Sequence, residues 1–401
     1  MARLIREGDF GGPNFVRGLA LQKEPVQVVS ETVAVLGPFE GGVDRTSSIT
    51  LVIFGSGFSI TDEGRYTGRL TNFIATDQDG NNWHVTDYGP TLSTFATAAI
   101  ENTFVDNLLG PTDWNYFGND TPDVFIGAAF ADELRGFGGD DVFEGLGGDD
   151  FIWGGKGEDT LRGQQGDDKI NAGRGADKVY GGEGQDEING QKGNDLIRGG
   201  GDGDIIRGGA GRDTIYGDAG SDTLTGGDDN DTVFGGLGQD TINGNKGNDR
   251  LLGQDGTDTI LGGDGKDDIN GGGGVDIVLG NADNDTVQGG VAADFIIGGK
   301  GNDTLSGNIA SSVSYDLAPD TFLFKNCFGN DTITDFEIGW DAIFMLDFAE
   351  SDVTVKTVGQ DVLITAMTKT AQTILVKDVA ADFDEAADIA FVDSSFMDTL
   401  L

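Results

Sequence analysis

From Gly118 onward the chain sets short apolar signals between longer polar stretches at a fixed interval. One aliphatic residue recurs at every ninth position, as Ile215, Leu224, Val233, Ile242, Leu251 and Ile260 show, and mostly Gly, Asp and Asn lie between. Neither the 3.6-residue period of a buried helix face nor a long two-residue alternation fits this spacing. Three residues such as Thr160–Arg162 read instead as a short strand whose middle side chain points one way and whose neighbours point the other. The six Gly- and Asp-rich residues that follow reverse the chain, with glycine supplying positive φ where a side chain would clash. From Gly118 to Ser306 there are 21 such nonapeptides without an insertion. Asp holds the sixth position of all 21, and Ile, Leu, Val or Phe the eighth of all 21. Gly holds the first position of 20, Ala172 being the exception, and the fourth of 15. Such a period marks a solenoid, in which each coil buries what its neighbours would expose. Coils stacked at ~4.8 Å bring the eighth-position side chains into one internal column and make a rod on the order of 50 Å long.

Stacking has a cost. Residues 18 apart fall on the same side of adjacent coils, so Asp159, Asp177 and Asp195 form one column and Asp150, Asp168 and Asp186 another. Like charges that close destabilise a fold unless a cation sits between them. Carboxylates with glycine-exposed carbonyls are an oxygen-only donor set, which suits hard Ca2+ and not zinc or copper. Pairing each Asp with the one 18 ahead allows up to about 19 Ca2+ ions in the roll, which would bring the formal charge from −44 to about −6. Metal binding is then folding. The chain is expected to be extended where free Ca2+ is scarce and ordered where it is plentiful.

GGKGEDTLR (154–162), GGAGRDTIY (208–216) and GGKGNDTLS (298–306) match the pattern GGxGxDxUx, with U a large apolar residue, at every fixed position. Over roughly half its length the chain therefore resembles the RTX (repeats-in-toxin) family of hemolysin-type calcium-binding repeat proteins. The resemblance implies an all-β fold, a right-handed parallel β-roll over residues 118–306 with two nonapeptides to each coil. An N-terminal antiparallel β-rich module (1–117), a C-terminal β cap (307–393) and a tail (394–401) complete the expected organisation. The resemblance further implies that each ion is shared by loops 18 residues apart, held by the repeat Asp and by carbonyls of the loop glycines. The expected metal-binding aspartates are Asp141, Asp150, Asp159, Asp168, Asp177, Asp186, Asp195, Asp204, Asp213, Asp222, Asp231, Asp240, Asp249, Asp258, Asp267, Asp276, Asp285, Asp294 and Asp303. With them go Gly139, Gly148, Gly154, Gly157, Gly166, Gly175, Gly184, Gly193, Gly211, Gly220, Gly238, Gly247, Gly256, Gly265 and Gly274. Six loops replace the fourth-position Gly, with Thr121, Phe130, Asp202, Asp229, Asp283 and Ala292. Asp tolerates a left-handed backbone, so three of these keep the expected geometry, whereas Thr121, Phe130 and Ala292 do not favour it.

The rest of the composition narrows the function. The chain has 401 residues, with 69 acidic against 25 basic, and that balance repels nucleic acid and anionic lipid. No apolar run approaches the ~18 residues of a membrane span. Cys327 is the single cysteine, which rules out an internal disulfide and reads as a small buried hydrophobe. The opening MARLIREGDFGGPNFV lacks the apolar core of a signal peptide. AFVDSSFMDTLL, at 390–401, is similar to the uncleaved C-terminal signal of type I secretion substrates. The expectation is a bacterial protein exported without a cleavable N-terminal signal and found outside the cell or at its surface. Its expected partners are calcium ions, the type I secretion machinery and cell-surface or matrix polysaccharide.

Outside the repeats, 47–60 and 66–89 suggest antiparallel strands with a turn at Asp79–Gly80, followed by one short helix in 91–104. Strands around a turn at Gly359–Gln360 and through 373–383 are expected near the other end. Residues 320–393 are expected to fold back over an outward apolar patch that includes Leu279 and Phe295. His84 is the only histidine, so HExxH cannot be built, and no GxSxG elbow occurs. DQDGNN (77–82) fails as an EF-hand loop, because Gly80 is misplaced and Tyr88 stands where the last Glu ligand belongs. The reading is therefore a non-enzymatic protein, the alternative being a hydrolase with its site in 1–117. On one sheet Arg162, Tyr180, Arg198, Tyr216 and Phe234 fall in register as a candidate surface-binding stripe for sugar rings. A plain ladder of good strand formers competes with that role.

Overall fold

From Asp141 to Asp294 the Asp-x-aliphatic triplets open strands of six or seven residues rather than three, as in Thr160–Gln165, Lys169–Arg174 and Lys178–Glu183. Small residues at the bend let the ladder run on through it, where bulk would end it. Thr160, Leu161 and Arg162 pair with Lys178, Val179 and Tyr180; pairing lapses at Gly163 and resumes from Gln164 and Gln165 to Gly182 and Glu183. The computed structural model describes residues 117–392 with side chains, apart from 119, 128, 309–317, 326, 368–370, 380, 382 and 384–387, and some strand backbone before them.

Every register within the repeats is parallel and shifted by 18 residues, so alternate nonapeptides build separate sheets. One sheet has 15 strands and the other 14. The architecture is an all-β parallel β-roll. Between the sheets runs the predicted column: from Leu134 to Leu305 every eighth-position side chain is 0 % exposed. The core is only one side chain thick for each half-coil. Burying one such residue contributes about 1.5–3 kcal/mol, less than ordering nine backbone residues costs. Apolar burial alone does not hold this roll.

The roll begins and ends outside the expected limits. Asn115–Phe117 already pairs parallel to Glu133–Arg135, ahead of Gly118. Past Ser306, Thr321–Phe324 and Asn330–Ile333 extend the two sheets, and Ala342–Leu346 adds a further parallel strand. Phe322, Ile333 and Ile343 take eighth-position places and are 0 % exposed. The signal was present as DTF (320–322), DTI (331–333) and DAI (341–343), but broken spacing hid it. Ala371–Val376 then pairs parallel to Asn330–Ile333, and Asp361–Met367 and Val353–Val358 turn antiparallel about Gly359–Gln360, as expected. Ile389–Val392 ends the other sheet.

These residues do not fold back over Leu279 and Phe295. Stacking end-on satisfies the open N–H and C=O groups of the last coil, which a fold-back would leave unpaired. Leu279 and Phe295 are half-buried, set in ladders with Leu261 and Ile297 and with Ile277 and Thr321. The aliphatic column gives way here to a Phe cluster. Phe324 meets Phe328 edge-on at 5.1 Å, and Phe328 meets Phe348 at 6.1 Å. Cys327 is exposed rather than buried, because it sits in a bend with φ +78°.

In the N-terminal part, Ala34–Leu36, Thr50–Ile60, Tyr66–Thr76 and Asn82–Thr86 form an antiparallel sheet in chain order. The expected helix in 91–104 and the tail 394–401 lie outside the described residues. Among the described residues no helix is long and apolar enough to cross a membrane. Ile215, fully buried mid-roll, tests the stacking: Ile215→Ala in saturating Ca2+ is expected to cost about 2–5 kcal/mol. Because coils contact only their neighbours, hydrogen exchange should quicken in the adjoining coils and stay unchanged near both ends. An equal loss of protection along the whole rod would contradict nearest-neighbour stacking.

Candidate metal centre

The sixth-position aspartates face inward at the two edges of the roll, where the chain turns into each strand. From Asp123 to Asp285 the backbone N–H of every one donates to Oδ1 of the aspartate 18 residues on, as in Asp141 to Asp159 at 2.8 Å and Asp159 to Asp177 at 2.8 Å. Each carboxylate thus fastens its own coil to the one before. The pattern survives the broken spacing at the end: Asp294 donates to Asp320, Asp303 to Asp331 and Asp320 to Asp341 at 2.9–3.0 Å.

The second oxygen is the unusual one. In Asp141, Asp150, Asp159 and each repeat aspartate on to Asp285 and Asp303, Oδ2 is buried with no hydrogen-bond partner among the described residues, and these residues are at most 3 % exposed. One buried carboxylate oxygen without a partner is costly; two continuous ranks of them call for a cation. Among the described residues no three His, Cys, Asp or Glu side chains converge on one point. A cation here therefore draws one carboxylate from a loop and completes its shell with backbone carbonyls, the hard oxygen set that Ca2+ takes.

Glycine lets the loops of adjacent coils come close. Gly157 and Gly175 have φ +131° and +140°. A Cβ on either would be driven into the carbonyl oxygen of the fourth-position residue one coil back, Gly139 or Gly157. First-position glycines do another job: a Cβ on Gly163 would strike Oδ2 of Asp168.

The RTX calcium-binding nonapeptide repeat (4 copies) family model matches residues 117–152, 144–179, 153–188, 180–215, 207–242, 243–278 and 279–309. Residues 117–309 are RTX calcium-binding repeats. No curated protein matches the chain. Among solved structures, the extracellular lipase LipA of Serratia marcescens is similar at 15 % identity and TM-score 0.22, over 56 % of this chain and 40 % of the lipase. The AlgE6R3 subunit of the Azotobacter vinelandii mannuronan C5-epimerase is similar at 21 % identity and TM-score 0.20, over 41 % of this chain and 80 % of that one. The chain spans less than half the length of the lipase, and neither likeness speaks to its activity.

The structure sorts the expected RTX residues. The aspartates from Asp141 to Asp303 all lie in the two fastened ranks. The expected fourth-position glycines are left-handed except Gly256, whereas Gly154 is a first-position residue that faces Oδ2 of Asp159. Asp202, Asp229 and Asp283 hold φ +68°, +79° and +74°, as their side chains allow, and Ala292 is held at +91° without that help. Thr121 and Phe130 are not left-handed. Sequence reasoning missed Asp320, Asp331 and Asp341, and it missed that each carboxylate spends one oxygen on a backbone N–H.

The stripe is a self-stacked ladder. Arg162 lies over Tyr180 at 5.2 Å, and Arg198 over Tyr216 at 4.6 Å. Tyr216 and Phe234 stack at 4.7 Å with rings 3° from parallel. Arg198 covers one face of Tyr216 and Phe234 the other, so that ring offers its edge rather than a face to a sugar.

Burial is the largest push on the carboxyls. It raises Asp141, Asp204, Asp231 and Asp285 to about 8 and Asp168, Asp195 and Asp276 to about 7. The N–H bond to Oδ1 pulls each back, and each neighbouring carboxylate, the cost legible in the sequence, adds a smaller push of its own. A folded-state value raised above the unfolded one stabilises the protonated form. The metal-free roll is therefore steadiest at acid pH and loses that stability as pH climbs through about 6 to 8. In EGTA, strand content by circular dichroism should rise as pH falls from 8 toward 4; in Ca2+ it should be high at pH 8. Strand content in EGTA that is lower at pH 5 than at pH 8 would contradict the assignment.

Proposed function

We propose that the protein is a secreted, non-enzymatic calcium-binding protein that folds on Ca2+ outside the cell and serves at the producer's surface, in a surface layer, in adhesion or in the extracellular matrix. The observation that carries this is the double rank of buried Oδ2 atoms without partners. A roll with so thin a core and so many desolvated carboxylates needs a cation to close, so the calcium level of the compartment decides whether the chain is folded. Low calcium inside the cell keeps it threadable for type I secretion machinery; higher calcium outside closes it. Bound Ca2+ also cancels most of the charge of −44, which removes the repulsion that would keep the rod away from anionic polysaccharide.

Fractionation of the producing cells tests this. The full chain should appear in the medium or on the cell surface in Ca2+, and EGTA should release the surface-bound part and unfold it. Retention in the cytoplasm, or surface binding indifferent to EGTA, would overturn the reading. Turnover of pooled polysaccharides, esters or peptides by the full chain in Ca2+ would replace it with a secreted hydrolase.

A further inference from the structure

One fastened carboxylate lies where no consensus nonapeptide stands. Residues 329–333 read Gly-Asn-Asp-Thr-Ile and copy Gly-Asn-Asp-Thr-Leu of 301–305, although 28 residues rather than 18 separate Asp303 from Asp331. The geometry is copied too. Gly301 and Gly329 form a parallel bridge, both with positive φ, and a Cβ on Gly329 would run into the Gly301 carbonyl, as in the repeats. Asn330 N–H donates to Asn302 Oδ1 at 3.0 Å, and Asp303 N–H donates to Asp331 Oδ1 at 2.9 Å. From the fourth position to the sixth, the loop pair of the repeats is reproduced.

The far side differs. In the next parallel strand the residue in register with Asp331 is Ile374, 0 % exposed. Asp331 is 2 % exposed, and its Oδ2 has no hydrogen-bond partner among the described residues. The column thus ends on a buried carboxylate that faces the buried apolar Ile374 in place of another aspartate, an arrangement that is costly until the charge is neutralised. The same strand grips the loop: Thr373 Oγ1 donates to Asn330 Oδ1 at 2.8 Å, and Gln372 Oε1 accepts from Cys327 and Phe328 N–H at 3.1 and 3.2 Å.

We propose that Asp331, with carbonyls of the 301–303 and 329–331 loops, holds a terminal Ca2+ outside the repeat tract, and that this ion fastens the strands of 353–376 to the roll. The proposal rests on the calcium reading of the roll and adds a site and a consequence to it. Docking those strands desolvates Asp331, so an ion that neutralises Asp331 favours the docked state, and docking raises the affinity for the ion in turn.

The test compares the full chain with D331N, which keeps the shape and removes the charge. Calcium content at saturation should fall by at least one ion, with circular dichroism unchanged. In the wild type, hydrogen-exchange protection of 353–376 should grow with a late step of a Ca2+ titration, and in D331N that step should vanish. Equal calcium content with the same calcium-dependent protection would overturn the site. Should D331N fail to fold, anomalous scattering from wild-type crystals grown in Ca2+ decides: a peak beside Asp331 Oδ2 supports the site, and none there, with the repeat loops filled, overturns it. Wild-type protein that binds no Ca2+ at all would overturn the calcium reading itself, and this site with it.

Discussion

Everything in this roll depends on how a buried aspartate divides its two oxygens. Oδ1 takes the N–H of the aspartate one coil back, and Oδ2 is left without a donor. The first contact fixes the coil spacing and the direction of the side chain. The second creates the demand for a cation, because a desolvated carboxylate oxygen lacks the water it had in the unfolded chain. On the proposed reading, folding and ion binding are a single equilibrium. The arrangement also ranks the causes of the metal-free roll's weakness: removal of water from each carboxyl outweighs the repulsion between carboxyls 18 residues apart.

Glycine is the other half of the constraint, at two distinct places. At fourth-position glycines such as Gly157 and Gly175 a Cβ would run into the preceding coil's backbone, and at the first position the carboxylate itself claims the space. Side chains are pushed outward to the seventh and ninth positions, where they stack on their own kind. Arg198, Tyr216 and Phe234 show the result: a ladder that satisfies itself. Such a ladder stiffens the sheet, and it also spends the ring faces that a sugar platform would require.

Most of the fold was legible because its period was. Asp and an aliphatic residue two places apart, held through 21 cycles, determine sheet membership, register and core for Gly118–Ser306. Strand length was not legible, since glycine at a bend reads as a break, yet the ladder resumes at Gln164. The C-terminal coils were hidden for a related reason. Their triplets at Asp320, Asp331 and Asp341 sit 26, 28 and 21 residues from their partners, so a search by period passes over them. Of the site, the choice of residues was legible and the division of labour between Oδ1 and Oδ2 was not, because nothing in composition says which oxygen meets a backbone N–H.

The broken spacing falls where it does for a physical reason. Inside the tract every coil is clamped on both sides by neighbours with the same turn, and an extra residue would displace two carboxylates and two carbonyl ranks together. Near the end at most one side faces a coil of the regular tract, so chain can be inserted provided that the Asp-x-apolar triplet returns to register. That is what 320–322, 331–333 and 341–343 do. The inserted residues supply what the narrow roll lacks: a Phe cluster wide enough to close the core, and strands that cover the last open edge. A solenoid whose interior is one aliphatic side chain thick cannot end on a bare coil. The aromatic end is therefore part of the same folding unit as the repeats, and the carboxylate ladder continues into it.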